Sequence, residues 1–192
     1  VCEQLDWRAP EFCVFPVAYG DAIFGIWKGF REFAEMGFIT SRPRMVAGET
    51  AGSLEAALRE GVDAIPSRTP PSPSAAGSIN VAQSTYQALH ALRASDGLVS
   101  TVKNEDLLAL QVELGTREGI YAEPSSIAVL AAIRNLRSEG QIQEGDTVVA
   151  VLTATGLKDP VATEDLLGDI PVVRGDIGAL LGTLSDAYGY KT

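Results

Sequence analysis

Two short stretches of this chain combine residue types and spacing that could do chemistry. The first is Val17-Ala18-Tyr19-Gly20-Asp21, an apolar run that passes through a Gly-Asp turn toward a helical pattern. Backbone N–H groups at a helix start lack intrahelical partners and suit a phosphate. Gly20 would let the backbone approach a ligand closely. The same turn also reads as plain N-capping by Asp21, whose carboxylate repels an anion unless it folds back onto the helix amides. The spacing Gly20-x-x-x-x-Gly25 imitates a P-loop, but Ile26 stands where its lysine belongs, and that reading is rejected. The second stretch is Leu152-Thr153-Ala154-Thr155-Gly156-Leu157-Lys158-Asp159-Pro160. Two hydroxyls and a glycine directly after an apolar run could present a hydrogen-bond donor to a ligand, or could simply satisfy local backbone groups at a polar strand exit.

The elements that must position these stretches alternate. Apolar runs at 12–17, Arg44–Gly48, Leu98–Val102 and Asp146–Leu152 read as strands, the last being the clearest buried one. Helical spacing covers Ala22–Met36, the region of Leu54–Arg59, Val81–Ala94 and a segment to Arg117 for which Asn104 is the expected N-cap. A further helix opens at Glu123-Pro124-Ser125-Ser126, with proline favourable near its start. Ile170–Val173 reads as a final short strand, and a last helix starts at about Asp176. Ile65–Ser78, rich in Pro, Ser and Gly, reads as a loop inside one domain. The pattern predicts an α/β fold over 1–192: three layers, a mostly parallel sheet with helices on both faces. Ligands of such sheets bind at the carboxyl ends of the strands, where both candidate stretches fall.

Composition narrows the function. The 192 residues carry 15 Lys+Arg against 25 Asp+Glu, a formal charge of −10, with 46% hydrophobic residues. That is ordinary globular composition, and the acidic balance speaks against a nucleic-acid or anionic-membrane binder. Two cysteines and one histidine cannot build a usual structural zinc site, and a catalytic Ser-His-Asp set is not evident. A single disulfide between Cys2 and Cys13 is conceivable. His90, in Ala-Leu-His-Ala-Leu, reads as a helix-face or interface histidine. No apolar run is long enough to span a membrane, and the start lacks a signal-peptide pattern, so a cytoplasmic location is the default.

Taken in order, the motifs resemble the C-terminal half of the threonine synthases, in the fold-type II pyridoxal-phosphate enzymes related to tryptophan synthase β and the serine/threonine dehydratases. The matching pieces are Phe15-Pro16-Val17-Ala18-Tyr19-Gly20-Asp21-Ala22, Gly25-Ile26-Trp27-Lys28-Gly29-Phe30, Glu118-Gly119-Ile120-Tyr121-Ala122-Glu123-Pro124-Ser125-Ser126 and the Leu152–Pro160 stretch. The resemblance covers roughly residues 1–160. It implies that the turn Ala18, Tyr19, Gly20, Asp21, Ala22 cradles the phosphate of pyridoxal 5'-phosphate, that Thr153 faces the pyridine nitrogen, and that Glu123 lies near the ring. A hydroxyl facing that nitrogen does not enforce ring protonation as a carboxylate would. The turn departs from the many relatives that carry several glycines or an asparagine there.

The resemblance also implies a Schiff-base lysine in the N-terminal half of the family fold. Lys28, Lys103, Lys158 and Lys191 are the four lysines here, and none has that context. No catalytic residue is therefore expected in this chain, which is expected to be inactive alone. The implied function is that of a pyridoxal-phosphate-dependent lyase converting O-phosphohomoserine to threonine plus phosphate. An N-terminal segment or partner chain would complete the site, and a homodimer is implied by analogy. Dehydratase-like or β-replacement chemistry, and a non-catalytic binding module on the same fold, remain the alternatives.

Overall fold

The computed structural model describes residues 1–166, 169 and 171–191. Four strands form one sheet: β1 (Phe12–Pro16), β2 (Arg44–Glu49), β3 (Leu98–Thr101) and β4 (Val148–Ala150). Their order is β3-β2-β1-β4, and every pairing is parallel. β1 sits in register with β2 through Phe12–Arg44 and with β4 through Phe12–Val148. Helices α1 (Asp21–Glu35), α2 (Ser53–Glu60), α3 (Tyr86–Ala94), α4 (Asn104–Glu118) and α5 (Pro124–Ser138) connect them.

The strand residues alternate between two cores, as the two-residue period of a strand requires. Cys13, Phe15, Met45 and Ala47 face a cluster with Ile23, Trp27 and Phe30 of α1, Leu54 and Ala57 of α2, and Leu89 and Leu92 of α3. Phe12, Val14 and Val46 face the opposite cluster, with Leu107 of α4 and Ile127, Ala128, Ala131 and Ala132 of α5. The three-layer, parallel α/β expectation holds. The chain runs outward from β1 to β2 and β3, then crosses back through α4 and α5 to place β4 on the other side of β1. The strand order therefore reverses between β1 and β4, and the crevice at such a reversal is where open α/β sheets bind ligands.

Several expectations need correction. α3 begins at Tyr86 rather than Val81. Its approach is held extended: the Ser84 N–H donates to Ser53 Oγ at 3.2 Å, and Thr85 Oγ1 donates to the Tyr19 carbonyl at 2.6 Å. Asn104 is the first residue of α4, not its cap; Lys103 precedes it. The Asn104 side chain instead clips the proline-rich loop, accepting from the Ala75 N–H and donating to the Pro73 carbonyl, both at 2.9 Å. β4 is only three residues long and half-buried, because it is an edge strand with β1 on one side only. Cys2 and Cys13 are both buried and free, so no disulfide joins them.

Pro171–Val173 form no strand, and Ile170 lies outside the described residues. The last helix, α6 (Ile177–Tyr188), starts where expected, with Asp176 Oδ1 accepting the Ala179 N–H at 2.8 Å. The structure forms two compact units, Val1–Ala162 and Thr163–Thr192. The sheet and both candidate stretches belong to the first. His90 is an exposed helix-face residue whose ring meets Trp27 edge-on at 5.1 Å. Among the described residues, no helix is long and apolar enough to cross a membrane, and no group of three or more His, Cys, Asp or Glu could hold a metal ion.

Candidate functional site

At the carboxyl ends of β1 and β4, on the crevice side, lies a cavity of about 280 Å³. Its lining contains the whole turn from Phe15 to Ile23, together with Ser78, Ile79, Glu123 and Thr153. All seven residues singled out from the sequence, Ala18, Tyr19, Gly20, Asp21, Ala22, Glu123 and Thr153, meet there.

The turn is built by Gly20. Its φ of +94° is a left-handed conformation that favours glycine. A Cβ added there would stand 2.3 Å from the Ala88 Cβ. The missing side chain thus lets the turn pack on α3. Gly20, not Asp21, is the N-cap of α1; Asp21 is the first helical residue, and no side chain caps the helix. The N-capping reading of Asp21 is therefore overturned. The opening amides of α1 remain for an acceptor of another kind, and the helix dipole favours an anion there.

The other wall is a clamp between two chain segments far apart in sequence. Ala122 and Thr155 form an antiparallel bridge. The Glu123 N–H donates to the Ala154 carbonyl at 3.0 Å, and the Gly156 N–H to the Tyr121 carbonyl at 2.8 Å. Gly156 is required because a Cβ there would lie 2.5 Å from the Tyr121 ring. Ser126, on the first turn of α5, accepts the N–H groups of Thr153 at 3.1 Å and Ala154 at 3.0 Å. Its Oγ lies 2.9 Å from Thr153 Oγ1.

Glu123 is the N-cap of α5 through its backbone, but its carboxylate does not cap the helix. Instead Glu123 Oε2 pairs with Lys158 Nζ at 3.1 Å, with side-chain exposures of 7% and 57%. Ser78 Oγ bridges the two, accepting from Lys158 Nζ at 3.0 Å and donating to Glu123 Oε2 at 3.4 Å. The Ser78 N–H is held by Ser125 Oγ at 3.1 Å. Such a partner offsets the hydration that a nearly buried carboxylate gives up.

Sequence reasoning missed the parts played by Ser78, Ile79, Ser126 and Lys158. Ser126 and Lys158 sat inside quoted motifs, but their partners lie 27 and 35 residues away in the chain. Ser78 belongs to the loop and carried no local signal.

A site of this kind can take an anion at the uncapped start of α1 and can offer a hydroxyl, Thr153, to a flat group lying at the carboxyl ends of β1 and β4. These features fit pyridoxal phosphate, which needs a phosphate cradle and a partner for its ring nitrogen. The comparisons with known proteins agree. The family described as "Pyridoxal-phosphate dependent enzyme" matches residues 1–154. The chain belongs to that family.

Within it, the chain resembles threonine synthases. It is 36% identical over 183 residues to the enzyme of Methanosarcina acetivorans, covering 94% of this chain and 45% of that one. It is 34% identical over 165 residues to the enzyme of Methanocaldococcus jannaschii, covering 84% and 41%. The chain thus spans less than half the length of these relatives. Among solved structures, a fungal L-serine ammonia-lyase from Rhizomucor miehei superposes with a TM-score of 0.62 at 17% identity, over 80% of this chain and 48% of that one. The processed form of threonine deaminase isoform 2 from Solanum lycopersicum gives 0.57 at 18%, over 86% and 44%. Both share the fold-type II architecture.

Proposed function

We propose that this chain is the cofactor-binding portion of a threonine synthase-like lyase, which converts O-phosphohomoserine to threonine and phosphate. One observation carries the reading: the uncapped turn Ala18–Ala22, Glu123 and Thr153 line a single cavity at the reversal between β1 and β4. The relatives named above support the choice of reaction.

In this reading the amides opening α1 hold the cofactor phosphate, Thr153 meets the ring nitrogen, and Glu123 borders the ring. Bound there, pyridoxal phosphate would supply the electron sink that stabilises carbanion character on an amino-acid substrate. The chain's own residues fix geometry and charge. Ser126 holds the Thr153 backbone in place, and Lys158 with Ser78 holds the Glu123 carboxylate against α5. The apolar wall of Phe15, Val17 and Ile79 limits water.

None of the four lysines is among the lining residues. Lys28 is paired with Glu32 on α1 at 2.8 Å, and Lys158 is paired with Glu123. The lysine that joins the cofactor therefore comes from a segment outside these residues, in the same polypeptide or in a partner chain, and the chain alone is inactive. A cytoplasmic homodimer completes the proposal.

The test is phosphate release by the complete polypeptide, with O-phosphohomoserine compared against serine and threonine. Phosphate and threonine formed in equal amounts from O-phosphohomoserine is the expected result. Ammonia release from serine or threonine, without phosphate release, would replace the reading by a dehydratase. A complete protein that takes up no cofactor would replace it by a non-catalytic binding module.

A further inference from the structure

A second cavity, of about 490 Å³, opens at the amino ends of β2 and β3, away from the one described above. The two share no lining residue. The second is lined by Trp27 and Phe30 of α1, by the loop from Thr40 to Pro43, and by the end of α3 from Arg93 to Asp96. Its volume falls in the range of about 300–1,000 Å³ common to small-molecule sites. Ile39 and Pro43 are buried and pin the loop at both ends. Between them Thr40, Ser41 and Arg42 are exposed, and among the described residues none of their side chains has a hydrogen-bond or ion-pair partner.

The other charged groups around Arg42 are already engaged. Arg93 pairs with Asp63 at 2.5 Å, and Arg44 lies 3.4 Å from Asp96. On its far side Arg42 borders a neighbouring hollow that holds Glu11 and Asp146. Those two carboxylates are turned onto backbone N–H groups, of Thr147 at 2.8 Å and of Gln143 at 2.7 Å. The negative end of α3 is answered as well: Ser95 Oγ donates to the Ala91 carbonyl and the Gly97 N–H to the Leu92 carbonyl, both at 2.7 Å. Arg42 is left with its whole planar fork of N–H donors unspent, a shape that meets a carboxylate through two parallel hydrogen bonds. One unmatched cation, with Asp96, Glu11 and Asp146 on the surrounding walls, suits a single negative charge and disfavours the two of a phosphate monoester. We propose that this cavity binds a small organic monocarboxylate, its carboxylate held by Arg42 and its body seated against Trp27 and Phe30.

The test uses the complete protein with pyridoxal phosphate present, and three probes that share one body: butyrate, its neutral amide butyramide, and butyl phosphate. Binding is read from the NMR resonances of the Trp27 indole and the Arg42 amide, which the other cavity does not touch. Butyrate is expected to bind about tenfold more tightly than butyramide, the size of a charge-assisted hydrogen bond, and more tightly than butyl phosphate. Arg42→Ala should bring butyrate down to the level of butyramide, read at Trp27, with the fold kept because the side chain is exposed. Butyramide binding as tightly as butyrate, an Arg42→Ala protein that keeps the native preference, or no saturable shift with butyrate overturns the proposal. Tighter binding of butyl phosphate overturns it in favour of a dianion site.

Discussion

The packing of Gly20 on Ala88 makes a quantitative test of how the turn from Ala18 to Ala22 is held. Gly20→Ala incurs two separate costs. The backbone stays at a φ of +94°, where an L side chain costs about 1–2 kcal/mol. The new Cβ would lie 2.3 Å from Ala88 Cβ and 3.1 Å from its Cα, so α3 or the turn must move by about an ångström. Overpacking of this kind costs about 1–3 kcal/mol. The expected loss is therefore about 2–5 kcal/mol, read as a shift in the urea midpoint. Ala88→Gly alone should cost about 1 kcal/mol, from helix propensity. In the double variant the Cβ–Cβ clash disappears, while the 3.1 Å approach to the Cα and the backbone strain remain. The double variant should therefore be more stable than the sum of the two singles predicts, by about 1–2 kcal/mol. Strict additivity would mean that the turn does not rest on α3, and the account of why glycine is needed there would fail.

Three further outcomes follow from particular groups. Lys158→Met leaves the nearly buried Glu123 carboxylate with Ser78 alone; because the lysine end is 57% exposed, the loss of unfolding free energy should be about 1–2 kcal/mol, below the cost of breaking a fully buried pair, and Lys158→Arg should restore most of it. A loss that Lys158→Arg does not restore would point to packing of the lysine stem instead. Burial pushes the Cys13 thiol up to about 11, so iodoacetamide at about pH 8 should leave it unmodified in the native protein and label it only after denaturation; rapid native labelling would contradict the buried position. Glu49 accepts the N–H groups of Ser53, Leu54 and Glu55 at the start of α2, yet burial still raises its carboxyl above the ordinary 4.5. The folded state therefore keeps the proton to higher pH than the unfolded chain. The stability this contributes is complete below about pH 4.5 and is lost as pH rises through the raised folded value. Glu49→Gln should remove that part of the stability–pH slope, and an unchanged slope would reject the assignment.

How much of this was legible in the sequence depends on the range over which each feature is decided. β1 and β2 were legible because both are central strands, apolar on both faces, and a continuous run such as Phe12–Val17 has few other uses. Asp146–Leu152 looked at least as strong, yet yields only a half-buried edge strand, because an apolar run does not reveal how many neighbours it will have. Asn104 and Asp21 failed as caps for a related reason. Asn104 had distant backbone groups to satisfy at Ala75 and Pro73, and Gly20 took the capping position once the turn packed on α3. The seven candidate residues were legible only because ordered motifs pointed to them, since each motif alone was ambiguous. Why they converge is a matter of topology. Val17 and Thr153 are 136 residues apart, and they meet because β4 returns to the far side of β1 instead of extending the sheet beyond β3. That return places the uncapped helix start on one lip of the crevice and the Ser126–Thr153 hydroxyls on the other. A chain with identical motifs but with β4 added beside β3 would carry every recognisable residue and have no site.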